Sequence, residues 1–268
     1  MPAHLSRSQP VPAGTDLTAD LAASCGQCQR CELAASRQQV VVGRGNPAAR
    51  LLLIGEAPGA EEDASGQPFV GRAGRLLEQL LAEAGLDSKR DLYIANVIKC
   101  RPPGNRKPSR AEIAACLPWL EQQIARQRPA LIGLLGATAL EALLGLKGGI
   151  TKLRGQWLEP LAGSFLSTPE THNVAQVPQQ QDQPRTTHQI GDLPNHRPNQ
   201  PANNPEAINR QTIAIQPSNL QPIALMPLLH PSYLLRNPSG LEGSPKWRTL
   251  QDLRLLRLRL DELAAGQG

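Results

Sequence analysis

The stretch LLLIGEAPG, residues 51–59, joins a run of four large apolar side chains to a turn that contains Gly and Pro. A short apolar run with such a boundary is typical of a buried β-strand. Residues 130–135 and 225–229 form similar runs, and segments with helical spacing separate the runs from one another. This alternation predicts an α/β fold, a three-layer sandwich with a central, mostly parallel sheet.

The same patterns predict the individual elements. Strands are expected at residues 40–42, 51–54, 92–98, 130–135 and 225–229. Helices are expected at residues 76–84, 109–127, 138–144 and 245–263. The second helix opens with the capping pattern Ser109-x-x-Glu112. Ligands bind at the carboxyl ends of parallel strands, and the segments that follow such ends are residues 55–59, 96–101 and 230–232.

Residues 161–221 differ from the rest of the chain because they are crowded with Gln, Pro and Asn and lack apolar periodicity. Such a composition cannot bury enough apolar surface to offset the entropy of ordering. We therefore expect a single domain, residues 16–268, that is interrupted by a disordered insertion at residues 161–221 and preceded by a flexible tail at residues 1–15. Three histidines in the insertion have spacings that fit no compact metal-ligand pattern.

Charge and hydropathy exclude some functions. The 268 residues carry a net charge of +5, which permits a polyanionic partner without identifying it. The chain contains no run of about 18 apolar residues, so we expect no membrane-spanning helix. Residues 1–14 lack the apolar core of a secretory signal. These features predict a cytoplasmic protein without membrane contact.

The five cysteines are the first chemical signal. Cys25, Cys28 and Cys31 form two overlapping Cys-x-x-Cys steps, and Cys100 and Cys116 form a distant pair. An odd number of cysteines without an export signal argues against a disulfide framework. Four thiolates from two distant pairs can hold zinc or a [4Fe–4S] cluster, and the spacing alone does not choose between them. Scattered buried cysteines are the remaining alternative.

Three motifs, taken in order, resemble those of the family 4 uracil-DNA glycosylases. The first consists of GEAPGAEED at residues 55–63 and GQPFVGRAG at residues 66–74. The second is NVIKCRPPGNR at residues 96–106, and the third is HPSYLLR at residues 230–236. The resemblance covers about residues 28–263, apart from the insertion.

The resemblance implies a DNA repair enzyme with a glycosylase fold. It implies a monomer that flips uracil out of DNA, hydrolyses the N-glycosidic bond and leaves an abasic site. It also implies a [4Fe–4S] cluster, with zinc as the alternative. Cys25 is then an extra cysteine, although a register that uses Cys25 and Cys28 stays open. The implied ligands are Cys28, Cys31, Cys100 and Cys116.

Breaking this bond makes the sugar cationic and gives the leaving base negative charge, so the site must stabilise both. Three residues are candidates for catalysis. His230 can donate a hydrogen bond to O2 of the leaving uracil. Glu56 and Glu62 are alternatives for orienting water or stabilising the sugar cation. An N-terminal helix charge is the other interpretation of Glu62.

Four residues are candidates for binding the base. Phe69 is a stacking floor, since stacking on an aromatic ring contributes roughly 1–3 kcal/mol per base. Asn96 matches O4 and N3–H of uracil, because an amide both donates and accepts. Gly55 and Ala57 let backbone amides approach a ligand closely.

Further candidates contact DNA. Basic side chains around the cysteine loop can pair with phosphates, and residues after His230 can wedge into the gap that a flipped base leaves. The predicted DNA-binding residues are Lys99, Arg101, Arg106, Ser232, Tyr233 and Arg236.

One alternative function is a uracil-DNA binding protein that forms a tight or covalent complex without turnover. A branch related to family 4 carries a Lys-Arg-Arg-Ile-His loop for this purpose, and residues 103–109 of this chain contain no histidine. The sequence therefore favours turnover. Because no amine nucleophile occupies an evident site position, we expect no strand cleavage by the enzyme itself.

Overall fold

The computed structural model describes residues 17–161, 164, 166 and 223–266. Within these residues, five strands form one sheet in the order β1-β3-β2-β4-β5. The strands β2, β3, β4 and β5 pair in parallel, and β1 pairs with β3 in antiparallel fashion. The mostly parallel sheet is therefore confirmed. The strands are β1 (Arg44–Gly45), β2 (Leu51–Gly55), β3 (Leu92–Asn96), β4 (Leu131–Leu135) and β5 (Ala224–Leu228).

Helices cover both faces of the sheet. Along β2, Leu52 and Ile54 belong to one buried apolar cluster, and Leu51 and Leu53 belong to a second. The first cluster includes side chains of α1, α4 and α5, and the second includes side chains of α3, α7 and α8. The helices are α1 (Leu17–Gly26), α2 (Ala60–Ser65), α3 (Arg72–Glu83), α4 (Arg110–Gln127), α5 (Ala137–Leu144), α6 (Ile150–Leu153), α7 (Pro231–Arg236) and α8 (Pro245–Ala265), with 3₁₀ turns at Glu32–Ala35 and Pro103–Asn105.

The three-layer arrangement explains why the strands were recognisable in the sequence. A strand covered by helices on both faces reads as a continuous apolar run, and every residue of β2, β3 and β4 is buried. The predicted cap of α4 is also confirmed, since the Ser109 hydroxyl accepts from the backbone N–H of Glu112 and the Glu112 carboxylate accepts from that of Ser109.

Two predictions are wrong. Residues 40–42 are not a strand, although the Val41 N–H donates to the carbonyl of Lys99 at 2.8 Å. The short edge strand lies two residues later, at β1. Residues 232–235, which follow His230 and from which we expected a wedge for DNA, lie in the helix α7. Leu234 is buried in that helix and is therefore not a wedge for DNA.

The predicted tail at residues 1–15 and the predicted insertion at residues 161–221 lie outside the described residues, apart from residues 161, 164 and 166. Leu166 is buried in the first apolar cluster, so the core extends beyond the expected boundary at residue 161. On the two sides of the insertion, Leu158 and Leu225 form an antiparallel β-bridge with N–H···O distances of 2.8 and 2.9 Å. Among the described helices, none is long and apolar enough to cross a membrane.

Candidate active site

All four parallel strands end at the same edge of the sheet, and the candidate residues lie there. Gly55 ends β2 and Glu56 follows it, Asn96 ends β3, and His230 follows β5 and begins α7. The prediction that residues 55–59, 96–101 and 230–232 follow strand ends is thus confirmed. β4 contributes the next segment, which begins with Gly136.

Gly55 brings Phe69 and Asn96 together. A β-carbon at Gly55 would lie 2.4 Å from Cζ of Phe69 and 2.5 Å from Oδ1 of Asn96. Both side chains therefore occupy space that any larger residue at position 55 would fill. Ala57 lies partly buried against the first apolar cluster, two residues beyond. The edge of the sheet thus carries an aromatic ring and an amide side by side.

Asn96 carries an unpartnered polar atom. Its side chain is 1% exposed, and among the described residues no group donates a hydrogen bond to its Oδ1. A buried acceptor without a donor costs about 1–3 kcal/mol. Buried polar groups of this kind usually have a partner, so the atom is suited to accept a hydrogen bond from a ligand that enters beside Phe69.

His230 is a neutral hydrogen-bond donor. Its Nδ1 lies 2.8 Å from the Ser232 hydroxyl and accepts from the Ser232 backbone N–H at 3.2 Å. Because Nδ1 acts as an acceptor, the ring proton of the neutral form is on Nε2. Burial of the ring, and secondarily the charge of Arg236, lower the pKa of His230 to about 4. The imidazole is therefore neutral at physiological pH.

The first turn of α5 contacts both His230 and Glu56. A β-carbon at Gly136 would lie 3.0 Å from Cβ of His230, and the hydroxyl of Thr138 donates a hydrogen bond to Oε2 of Glu56. Gly136 also has φ +95, a conformation that favours glycine. The sequence analysis did not identify Gly136 or Thr138. The rule that sites follow strand ends would have identified them had it been applied to β4.

Both carboxylate oxygens of Glu62 accept hydrogen bonds from backbone N–H groups. Its Oε1 accepts from the N–H groups of Val70 and Gly71 at 3.0 and 2.8 Å, and its Oε2 accepts from the N–H of Gly59 at 3.0 Å. The carboxylate thus joins the first turn of α2 to the loop that follows Phe69. Three N–H donors leave this carboxylate less free than Glu56 to act on a ligand.

Arg44 holds the other side of the same loop, and the sequence analysis did not identify it. Its guanidinium donates to the carbonyl oxygens of Pro68 and Phe69 at 2.6 and 3.2 Å and to the Glu78 carboxylate at 2.5 Å. Phe69 has φ 56, which is unusual for a residue with a side chain. A β-carbon at Gly74 would lie 1.9 Å from the Phe69 carbonyl oxygen, so the backbone of Phe69 is fixed on several sides.

The structure contradicts the prediction that Lys99 contacts DNA. Its side chain is 1% exposed, and its ammonium group donates to the Asn96 carbonyl at 2.8 Å and to Oε1 of Gln123. Burial lowers the pKa of Lys99 to about 8. A side chain enclosed in this way cannot reach a phosphate. Instead, it ties the end of β3 to α4.

The other predicted DNA-binding residues are more accessible. Arg236 is exposed and Tyr233 is partly buried, while the hydroxyl of Ser232 contacts His230. Arg101 is partly exposed and donates to Asn105 at 2.7 Å. Arg106 is about half exposed but forms two hydrogen bonds, of 2.8 and 2.6 Å, with Glu112.

Cys25, Cys28, Cys31, Cys100 and Cys116 all line one cavity. Three N–H groups point at its sulfur atoms. Nε1 of Trp119 donates to Cys28 Sγ at 3.3 Å, the backbone N–H of Lys99 to Cys116 Sγ at 3.2 Å, and Nη1 of Arg37 to Cys100 Sγ at 3.6 Å. Such donors stabilise thiolates, the form in which cysteine binds metals.

Burial opposes the thiolate form at the same cavity. It raises the pKa of Cys25 to about 12 and that of Cys116 to about 11. A bound cation would favour the thiolate form of these groups. Among the described residues, no group of three or more His, Cys, Asp or Glu side chains is arranged so that it could hold a metal ion.

Comparisons with known proteins point to one family. The family model described as the uracil DNA glycosylase superfamily matches residues 42–254. The type-4 uracil-DNA glycosylase of Thermotoga maritima is 50% identical over 138 residues, which cover 51% of this chain and 71% of the relative. That of Pyrobaculum aerophilum is 46% identical over 121 residues, 45% of this chain and 61% of the relative. That of Saccharolobus solfataricus is 44% identical over 146 residues, 53% of this chain and 66% of the relative.

Proposed function

The chain belongs to the uracil DNA glycosylase superfamily, and from this premise we propose that it is a type-4 uracil-DNA glycosylase that excises uracil from DNA in base excision repair. The observation that carries the proposal is the unpartnered Oδ1 of the buried Asn96 beside the ring of Phe69. A flipped uracil offers a π face to the ring and an N3–H donor to that oxygen.

Phe69 and Asn96 bind the flipped base in different ways. The ring supports the flipped uracil by stacking, a contact that every base can make. The Asn96 amide accepts from N3–H through Oδ1 and donates to O4 through its NH₂ group. Cytosine lacks the N3–H donor and carries an amino group in place of O4, so it leaves the amide unmatched. Discrimination therefore comes from the amide and not from the ring.

His230 stabilises the leaving group. The Ser232 N–H keeps Nδ1 as an acceptor, which leaves the Nε2 proton free to donate to O2 of uracil. As the glycosidic bond breaks, negative charge gathers on the base, and a neutral donor strengthens its hydrogen bond to that charge. His230 therefore stabilises a uracil anion without having to be protonated first.

Glu56 is the carboxylate that we assign to water and to the sugar cation. It lies at the end of β2 and bonds the Thr138 hydroxyl through one oxygen. Glu62 is assigned a positioning role, because its two oxygens accept three backbone N–H groups. Gly55 and Ala57 line the base side of the site. The proposal thus gives different roles to Glu56 and Glu62, which the sequence left as alternatives for one role.

The cysteine cavity is proposed to hold a [4Fe–4S] cluster through Cys28, Cys31, Cys100 and Cys116. The donor set of thiols and the three N–H···S contacts suit such a group. Four thiolates can also hold a zinc ion, which stays the alternative occupant of the cavity. When bound, the cluster supplies structure and no electron, since hydrolysis transfers none.

Uracil-containing DNA is the proposed substrate. We assign phosphate contacts to Arg101, Arg106 and Arg236, whose side chains are at least partly exposed, and a DNA-facing position to Tyr233. The enzyme is proposed to act as a monomer in the cytoplasm. It leaves an abasic site without cutting the strand, because no amine nucleophile lies among the assigned catalytic side chains.

An alkali assay tests the proposal. The purified chain is incubated with a labelled oligonucleotide that contains one uracil, and a matched oligonucleotide with thymine serves as control. Alkali should cleave the uracil strand at one position and leave the thymine strand intact. A heat-stable protein–DNA band without alkali-sensitive sites would support a covalent binder. If neither product forms, the chain is not a glycosylase.

A further inference from the structure

Five thiols line a cavity in which a four-iron cluster uses four. The sequence alone cannot name the extra one, because Cys25-x-x-Cys28 and Cys28-x-x-Cys31 have the same spacing. Cys28 stands at the centre of this symmetric pair of steps. The structure distinguishes the five by the contacts that their sulfur atoms make and by their exposure.

Three of the thiols have N–H donors. Cys28, Cys100 and Cys116 each accept a hydrogen bond at sulfur, from Trp119, Arg37 and Lys99 respectively. Among the described residues, no group donates to the sulfur of Cys25 or Cys31. Donors to sulfur fix a thiolate in place. We therefore take these three thiols as constant ligands, and either Cys25 or Cys31 can supply the fourth.

Cys25 and Cys31 differ in exposure. Cys25 lies in the last turn of α1 and is 1% exposed, whereas Cys31 is partly exposed just before the 3₁₀ turn at Glu32–Ala35. The N–H of Cys28 donates to the carbonyl of Cys25 at 3.0 Å, which closes a tight turn between them. The Cys25 thiol is therefore held at the cavity wall, and solvent-borne reagents reach Cys31 first.

We propose that Cys25 and Cys31 are alternative fourth ligands of the cluster, so that Cys25 binds whenever Cys31 is removed or blocked. This inference rests on the cluster of the proposed function. In the exchange, the Cys31 sulfur would leave the iron and take up a proton or the blocking group, Cys25 would release its thiol proton to solvent, and the Cys25 sulfur would take the position that Cys31 had left. No electron moves, and the iron oxidation states stay as they were.

Serine variants of the full-length chain, purified without oxygen, test the exchange. Iron and acid-labile sulfide are counted per chain, and the visible absorbance is recorded. Cys25→Ser and Cys31→Ser should each retain about four iron atoms per chain. The double variant should lose most of its iron. Cys28→Ser is the matched control and should lose iron although Cys25 and Cys31 are both present, because Cys28 is a constant ligand.

A spectroscopic measurement separates exchange from mere folding. The reduced cluster of Cys31→Ser should give an electron paramagnetic resonance spectrum shifted from that of the wild type, while Cys25→Ser should match the wild type. Loss of iron from Cys31→Ser to the level of the double variant overturns the inference, as does full iron in the double variant. A wild-type chain that excises uracil but holds no iron also overturns it and leaves the glycosylase activity standing.

Discussion

The rings of Phe69 and His230 lie with their centroids 5.9 Å apart and their planes tilted by 40°. Phe69 belongs to the loop after α2, and His230 follows β5, which lies at the far edge of the sheet from β1. The proposed stacking floor and the proposed leaving-group donor are therefore neighbours at the carboxyl end of the sheet. This proximity is what the proposal requires of two side chains that contact the same base.

The pH dependence of excision follows from the neutral state of His230. Burial, followed by the charge of Arg236, lowers its pKa to about 4. A lowered histidine pKa keeps the neutral donor populated throughout the range in which a free histidine, with a pKa near 6.5, would become charged. The single-turnover rate constant should therefore stay level between about pH 5.5 and 8. A fall between pH 7 and 6 would contradict the assignment.

Two variants sharpen this measurement. His230→Gln should lower the rate constant by about 10²–10⁴ at every pH, the usual contribution of a positioned catalytic side chain. Arg236→Gln removes a positive charge that disfavours the imidazolium, so the pKa of His230 should rise and the acid limb should move to higher pH. The rate constant is measured with enzyme in saturating excess over DNA, so that a change in DNA affinity caused by the Arg236 substitution does not affect it.

Asn96 should show opposite effects on activity and stability. Replacing it with Leu removes an unpartnered buried oxygen, so the free energy of unfolding should stay level or rise. The same change removes the amide proposed to read uracil, which should lower kcat/KM by about 5–150-fold for a loss of about 1–3 kcal/mol. Thermal unfolding and single-turnover kinetics on the same preparation measure both.

Gln127 provides the matched control for Asn96. Its Oε1 is also buried without a donor among the described residues, but it lies at the end of α4 and its amide nitrogen donates to Ala49. Gln127→Leu should change stability and leave excision of uracil as it was. Equal losses of activity in the two variants would mean that Asn96 acts on the fold and not on the base.

The sequence revealed the strands and the order of the site segments for a physical reason. Strands buried on both faces must be apolar at every position, so β2, β3 and β4 were recognisable. Short helices such as α2 and α7, six residues each, bury too few side chains to create a periodic pattern. The edge strand β1 has only two residues and no apolar run.

Side-chain direction was the part that the sequence could not supply. Lys99 and Arg101 are both basic residues of one motif, and only packing decides that Lys99 points to Gln123 while Arg101 stays partly exposed. Glu56 and Glu62 were both candidates for the catalytic carboxylate, and the sequence could not show that three N–H groups bond to Glu62. Contacts of this kind come from residues distant in the chain.

Arg44 should control the geometry of the stacking floor. Arg44→Met keeps the aliphatic stem but removes the donors to the carbonyls of Pro68 and Phe69, so the strained backbone at Phe69 can relax. We expect the free energy of unfolding to fall by about 1–3 kcal/mol. We also expect weaker binding of uracil-containing DNA, measured with a His230→Gln background that prevents excision.

Glu78→Gln is the control for Arg44, because it removes the ion pair and leaves both carbonyl contacts in place. Glu78 is partly exposed, so this change should cost at most about 1 kcal/mol of stability. Affinity for DNA should remain close to that of the unchanged chain. Identical losses of affinity in the two variants would show that the ion pair, and not the hold on Phe69, is what matters.

Removing residues 168–220 should preserve both fold and activity, because the chain on the two sides of this segment meets at the Leu158–Leu225 bridge. Closing a loop costs about 0.6 kcal/mol for each doubling of its length. Replacing residues 168–220 with a flexible linker one quarter as long as this segment should therefore raise the free energy of unfolding by about 1 kcal/mol. Denaturant unfolding and the alkali assay measure the two outcomes.

The boundary of that deletion is itself testable. Leu166 is 2% exposed in the first apolar cluster, so a longer deletion of residues 163–221 removes a core side chain as well. Loss of a buried leucine costs about 2–5 kcal/mol, which should outweigh the gain from the shorter loop. The Leu166→Ala variant of the full-length chain should reproduce that loss. If the shorter deletion abolishes excision while the chain stays folded, residues 168–220 take part in the reaction and are not a dispensable insertion.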